Sequence, residues 1–189
     1  MKLPTEGRNF EPYSSVGASL GRTYVHSKVL ATVVDAYGDL ETALPGVTFV
    51  YGETGWRNGG RIKPHRTHQN GTSVDFMVPV TDANGRNATL PRDIANRYGY
   101  DLEFDAQGRL EDLRIDFATV GEHLYRLDQA ARRTGIGIKQ VIFDAQYLPR
   151  LFATSRGAWL ERNLHFMRRA PWIRHDEHYH VDFAVKCET

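Results

Sequence analysis

The sequence predicts an α+β fold in which helices flank a mainly antiparallel sheet. Residues 24–44 and 117–134 carry apolar side chains at helical spacing. Residues 47–51, 73–80, 139–143 and 177–185 are short runs rich in β-branched and aromatic residues, and they read as strands. Segments 100–104 and 109–115 flank Asp105-Ala-Gln-Gly108, a glycine turn that reads as a hairpin. No internal repeat, low-complexity tract or linker interrupts the chain, so one domain is expected over residues 1–189.

In chain order, residues 1–23 are rich in Gly, Ser and Pro without a period, and are expected to be an irregular arm. Val25, Val29, Leu30, Val33, Val34 and Leu40 form the apolar stripe of the first helix, which Pro45-Gly46 ends. The strand at 47–51 leads into a loop with Trp56 and the pair Gly59-Gly60. The strand at 73–80 is followed by an expected insertion of loop and short helix at 81–98. Val120, Leu124, Leu127 and Ala131 line one face of the helix at 117–134, and Gly135-Ile-Gly137 ends it. Two short helices are expected at 147–152 and 158–166, before the last strand.

A 189-residue chain that is 41% hydrophobic can bury a sizeable core. A net charge of +1 offers no basic stripe for nucleic acid or an anionic membrane. The single cysteine, Cys187, excludes an intrachain disulfide and a four-cysteine zinc site. No apolar run has the length of a membrane span, and residues 1–10 lack the apolar core of a signal peptide.

Five of the eight histidines fall in two short stretches, His65-Arg-Thr-His68-Gln-Asn-Gly71-Thr-Ser-Val-Asp75 and His175-Asp176-Glu177-His178-Tyr179-His180. Both abut β-type sequence, which suggests one site assembled from two strands. Gly71 allows the chain to turn back, so that His68 and Asp75 reach one point. His178 and His180, two apart on a strand, share a face. Two histidines and an aspartate with an open position is the composition of a catalytic zinc site, and zinc lowers the pKa of bound water to roughly 7. His26, His123 and His165 stand outside the clusters and are expected to be structural or merely exposed. Trp56 and Arg57 are candidates for a groove wall, and Arg61, Lys63 and Arg66 for pairing with a substrate carboxylate. A solvated basic loop is the competing reading of those cations. Trp172 and Tyr179 are expected to be packing residues.

The pattern His65-x-x-His68-x-x-Gly71-x-x-Val74-Asp75, followed by Pro171-Trp172-x-x-His175-x-x-His178-x-His180-Val181, resembles the penicillin-insensitive murein endopeptidases. These belong with the lysostaphin-like, D-Ala-D-Ala-peptidase-like and hedgehog-like zinc folds. The resemblance spans about residues 14–187, and the two clusters are its specific part. It implies a small sheet cupping a zinc ion held by His68, Asp75 and His180. It implies His178 as general base, with His65 and His175 lining the site and stabilising the tetrahedral intermediate. Related D-Ala-D-Ala peptidases use a Glu three residues before the ligand histidine. Strand parity is expected to turn Glu177 to the opposite face, leaving the base to His178.

The implied substrate is the peptidoglycan stem peptide, cut at the cross-link between D-Ala and diaminopimelate or at the related L,D bond. A D,D- or L,D-carboxypeptidase or dipeptidase, and a zinc-containing binding module without catalysis, are the alternatives. Phage lysis proteins and toxins injected by a contractile secretion machine reach the wall without a signal peptide. The expected partners are therefore stem peptides, with a secretion apparatus or a cognate inhibitor beside them.

Overall fold

The computed structural model describes residues 1–63, 65, 67–92, 96, 99–169 and 174–186. Its larger sheet has five strands: β1 (Phe10–Pro12), β2 (Phe49–Tyr51), β3 (Ser73–Met77), β8 (Gly137–Ile142) and β9 (His178–Ala184), in the order β1-β2-β3-β9-β8. β1 and β2 run parallel and the other neighbours antiparallel, so the sheet is mixed. A second, four-stranded sheet is built from β4 (Val80–Thr81), β5 (Asn87–Ala88), β6 (Arg109–Leu110) and β7 (Leu113–Ile115), in the order β5-β4-β7-β6.

Five helices accompany the sheets among the described residues: α1 (Ser15–Ser19), α2 (Ser27–Ala43), α3 (Phe117–Arg133), α4 (Leu148–Phe152) and α5 (Gly157–Asn163). His26 caps α2, its Nδ1 accepting from the Lys28 amide at 3.2 Å, and Asp116 caps α3 by accepting from Thr119 at 3.0 Å. The two long helices pack on each other. Thr32 and Thr134 share a hydroxyl hydrogen bond of 2.6 Å, and Arg133 pairs with Asp35 and Asp39.

Strand alternation separates the site from the core. In the β3–β9 ladder Asp75 faces His180, Ser73 faces Asp182 and Met77 faces His178, while Val74 faces Val181 and Phe76 faces Tyr179. Directly opposed residues share a sheet face. Val74, Phe76, Tyr179 and Val181 join the hydrophobic core with Tyr37 of α2 and Leu124 and Leu127 of α3. The other face carries Ser73, Asp75, His178, His180 and Asp182.

Several expectations change. The arm at 1–23 contains β1 and α1, and a bridge ties Lys2 to Tyr24. β1 has only three residues and ends on a proline, so no run long enough to show alternation marks it. Val34 is exposed, and Thr32, Ala36 and Tyr37 join the buried stripe of α2 instead. Residues 100–104 form no strand. The hairpin is β6–β7, which turns at Glu111-Asp112 with Glu111 at φ 52°. Two sheets stand where one was expected, because the insertion after β3 pairs with the hairpin. No helix of the described residues is long and apolar enough to cross a membrane.

Candidate metal centre

His68 stands at φ 36°, in the left-handed region that side chains with a Cβ rarely adopt. Strain of this kind persists where the surroundings over-determine it, often at functional sites. Gly71, at φ 74°, completes the turn, and a Cβ there would lie 2.7 Å from the His26 nitrogen. The chain thereby returns to begin β3 at Ser73, with Asp75 two residues further on.

His65, His68 and Asp75 form a group that can hold a metal ion, their donor atoms all lying within 4.8 Å of one another. His180 enters the same space from β9. His68 Nε2 lies 3.1 Å from Asp75 Oδ1 and 3.1 Å from His180 Nδ1, and His180 Nδ1 lies 2.7 Å from Asp75 Oδ1. Donors at 2.0–2.1 Å from a tetrahedral zinc are about 3.3 Å apart. The trio is thus a few tenths of an ångström tighter than an ion-bound set. His68, Asp75 and His180 are all buried.

The far sides of the two rings decide which atoms face inward. His68 Nδ1 lies 3.0 Å from the Thr54 carbonyl oxygen, which can only accept, so Nδ1 carries a proton, and Nε2, facing Asp75, carries either a second proton or the lone pair that a cation would take. His180 Nε2 lies 2.9 Å from Asp182 Oδ1, and Ser73 Oγ donates to that same oxygen at 2.6 Å. Burial works against a charge on His180, but hydrogen bonds to Asp182 and Asp75 outweigh it and push the pKa up to about 9. An imidazole between two carboxylates carries either a second proton or a cation on Nδ1. Burial also opposes the charge on Asp75, yet its imidazole neighbours, His68 foremost, hold the carboxyl well below its ordinary range. Such outward hydrogen bonds to a carbonyl and a carboxylate are the usual support of metal-ligating histidines.

The remaining histidines surround this point. His65 Nδ1 is 3.6 Å from Asp75 Oδ2, and its Nε2 is 2.8 Å from Glu53 Oε2. His178 lies with its ring centre 4.5 Å from His175, whose carbonyl accepts from the Asp144 amide at 3.0 Å. Burial pushes the His178 pKa down to about 4, so it is neutral near pH 7. Burial and its neighbour Asp176 push Glu177 up to about 10, so it keeps its proton. Glu177 Oε1 lies 2.8 Å from His178 Nδ1.

The expectation for Glu177 is corrected here. β9 begins at His178, so strand parity does not govern Glu177, and its carboxyl turns back onto His178 rather than away. Trp56 donates to the Arg61 carbonyl at 3.3 Å and lines a groove of about 470 Å³ with Arg57 and His26. Arg61 is exposed. Arg66, Trp172 and Cys187 lie outside the described residues. Tyr179 is buried in the core, His26 is a helix cap, His123 is buried and His165 is exposed. A second groove, about 400 Å³, runs past Thr67, Asp182, Asn70 and Lys139. It adjoins the centre, since Thr67 Oγ1 is 3.2 Å from His180 Nε2.

Four contributors escaped the sequence reading. Asp182 continues the alternation His178-x-His180-x-Asp182, a signal that could have found it. Tyr100, whose hydroxyl donates to Asp75 Oδ2 at 2.8 Å, Thr54 and Glu53 come from loops with no local pattern.

No protein-family model matches the chain, and no curated protein matches it.

Proposed function

We propose that the protein is a zinc-dependent peptidoglycan endopeptidase that hydrolyses stem-peptide cross-links. The observation that carries the reading is the convergence of three donors, His68 Nε2, Asp75 Oδ1 and His180 Nδ1, with the outer ring nitrogens bound to Thr54 and Asp182. The resemblance of both histidine clusters to the penicillin-insensitive murein endopeptidases supports zinc as the ion, the related fold and the stem peptide as substrate.

His68, Asp75 and His180 would hold the zinc, which when bound acidifies water and polarises a carbonyl oxygen. His178, neutral and backed by Glu177, accepts the proton of the attacking water. His175 flanks the reacting carbonyl and donates to the developing oxyanion, while His65 lines the site with its Nδ1 as an acceptor. The groove past Thr67 and Lys139 takes one arm of the cross-linked peptide, and the exposed Lys139 offers a cation to a stem carboxylate.

Purified cross-linked muropeptide dimers, digested with zinc-loaded protein and read by mass spectrometry, test this. Conversion to monomers, abolished by chelator, is expected. Release of a terminal D-Ala alone would make it a carboxypeptidase, and intact dimers would overturn the reading.

A further inference from the structure

Glu53 follows β2 and is only 4% exposed. A buried carboxylate persists when paired, and its partners reveal what it holds. One oxygen accepts from the Arg22 guanidinium and the other lies 2.8 Å from His65 Nε2. Arg22 is itself fixed, with its guanidinium 5.2 Å from the centre of the Trp56 ring. The backbone carbonyl of Glu53 accepts from the Asp75 amide at 3.2 Å, so this loop is tied to β3 beside the donor carboxylate. Arginine stays charged, and the carboxylate facing it only accepts. The proton of a neutral His65 is therefore on Nε2, and the Nδ1 lone pair faces the Asp75 side of the centre.

We infer that Glu53, clamped by Arg22, is a positioning residue that sets the tautomer of His65 and presents Nδ1 as an acceptor at the candidate centre. A carboxylate behind a histidine fixes both ring orientation and the nitrogen that is left free. The inference rests on the peptidase reading only for its effect on turnover. The tautomer itself is independent of it.

The discriminating variant is Glu53→Gln. Arg22 claims the amide oxygen, so the amide NH₂ turns to His65 and Nε2 must become the acceptor. Long-range ¹H–¹⁵N spectra of the full chain, with zinc and without it, report which ring nitrogen is protonated. The wild type should show His65 as the Nε2–H tautomer and Glu53→Gln as the Nδ1–H tautomer. Glu53→Asp, which keeps an acceptor, should restore Nε2–H. Turnover of muropeptide dimers by Glu53→Gln, at matched zinc content, should fall about 10- to 100-fold, with partial recovery in Glu53→Asp. An Nε2–H tautomer in Glu53→Gln would overturn the inference, as would inversion without loss of turnover. Should Glu53→Gln fail to fold, Glu53→Ala supplies a second test. It removes the acceptor altogether, and a single unmixed Nε2–H tautomer there would equally overturn the inference. If the wild type itself leaves dimers intact, the peptidase reading falls while the tautomer measurement still decides the role of Glu53.

Discussion

Replacing His123 by Phe should remove one pH-dependent contribution to stability. His123 lies on α3, 1% exposed, stacked on Tyr37 and Phe49 at 5.6 and 5.2 Å, with the Phe76 ring edge-on at 4.7 Å. Its Nδ1 is hydrogen-bonded to the Tyr179 hydroxyl, and its Nε2 has no partner among the described residues. Burial pushes its pKa from 6.5 down to about 3. The folded value is below the unfolded one, so the unfolded chain binds the extra proton between those limits. The His123 contribution to stability is complete above pH 6.5 and is lost as the pH falls. Each unit is worth about 1.4 kcal/mol, so at pH 4.5 the loss is roughly 2.7 kcal/mol. His123→Phe keeps the stacking but strips Tyr179 of its partner, at about 1–3 kcal/mol. In urea unfolding of metal-free protein, the variant should be the weaker at pH 7.5, and the gap should close or invert by pH 4.5. A gap that stays constant between those pH values would refute the reasoning.

Asp182→Asn should weaken zinc binding about 10- to 100-fold, because the His180 ring loses its carboxylate support; chelator competition measures it. At matched zinc occupancy, His178→Ala should lose roughly 10²–10⁴-fold in turnover, and Glu177→Ala should fall between it and the wild type. Lys139→Glu should raise KM for dimers with free stem carboxylates and leave kcat nearly unchanged; steady-state kinetics against amidated dimers would expose a cause unrelated to charge.

The features written as local periodicity were legible. The spacing of Val29, Val33 and Leu40 marks α2, and that of Val120, Leu124 and Leu127 marks α3, as in the structure. His178 and His180 alternate on one strand face, and Gly71 permits the turn that brings His68 to Asp75. Glu53, Thr54 and Tyr100 were not legible, since their place depends on long-range contacts: β2 delivers Glu53 beside His65, and the segment after Gly99 delivers Tyr100 to Asp75. Glu177 was misread because its side-chain direction depends on where β9 begins, a boundary one residue later than the pattern suggested.

The metal content of the protein tests the central claim most directly. Protein purified without chelator, or stripped and reloaded, should carry about one zinc per chain by elemental analysis. His68→Ala should lose it, since one of three protein donors is gone. A wild-type chain that neither retains nor takes up a transition metal, or a His68→Ala chain that binds zinc as tightly as the wild type, would contradict the account.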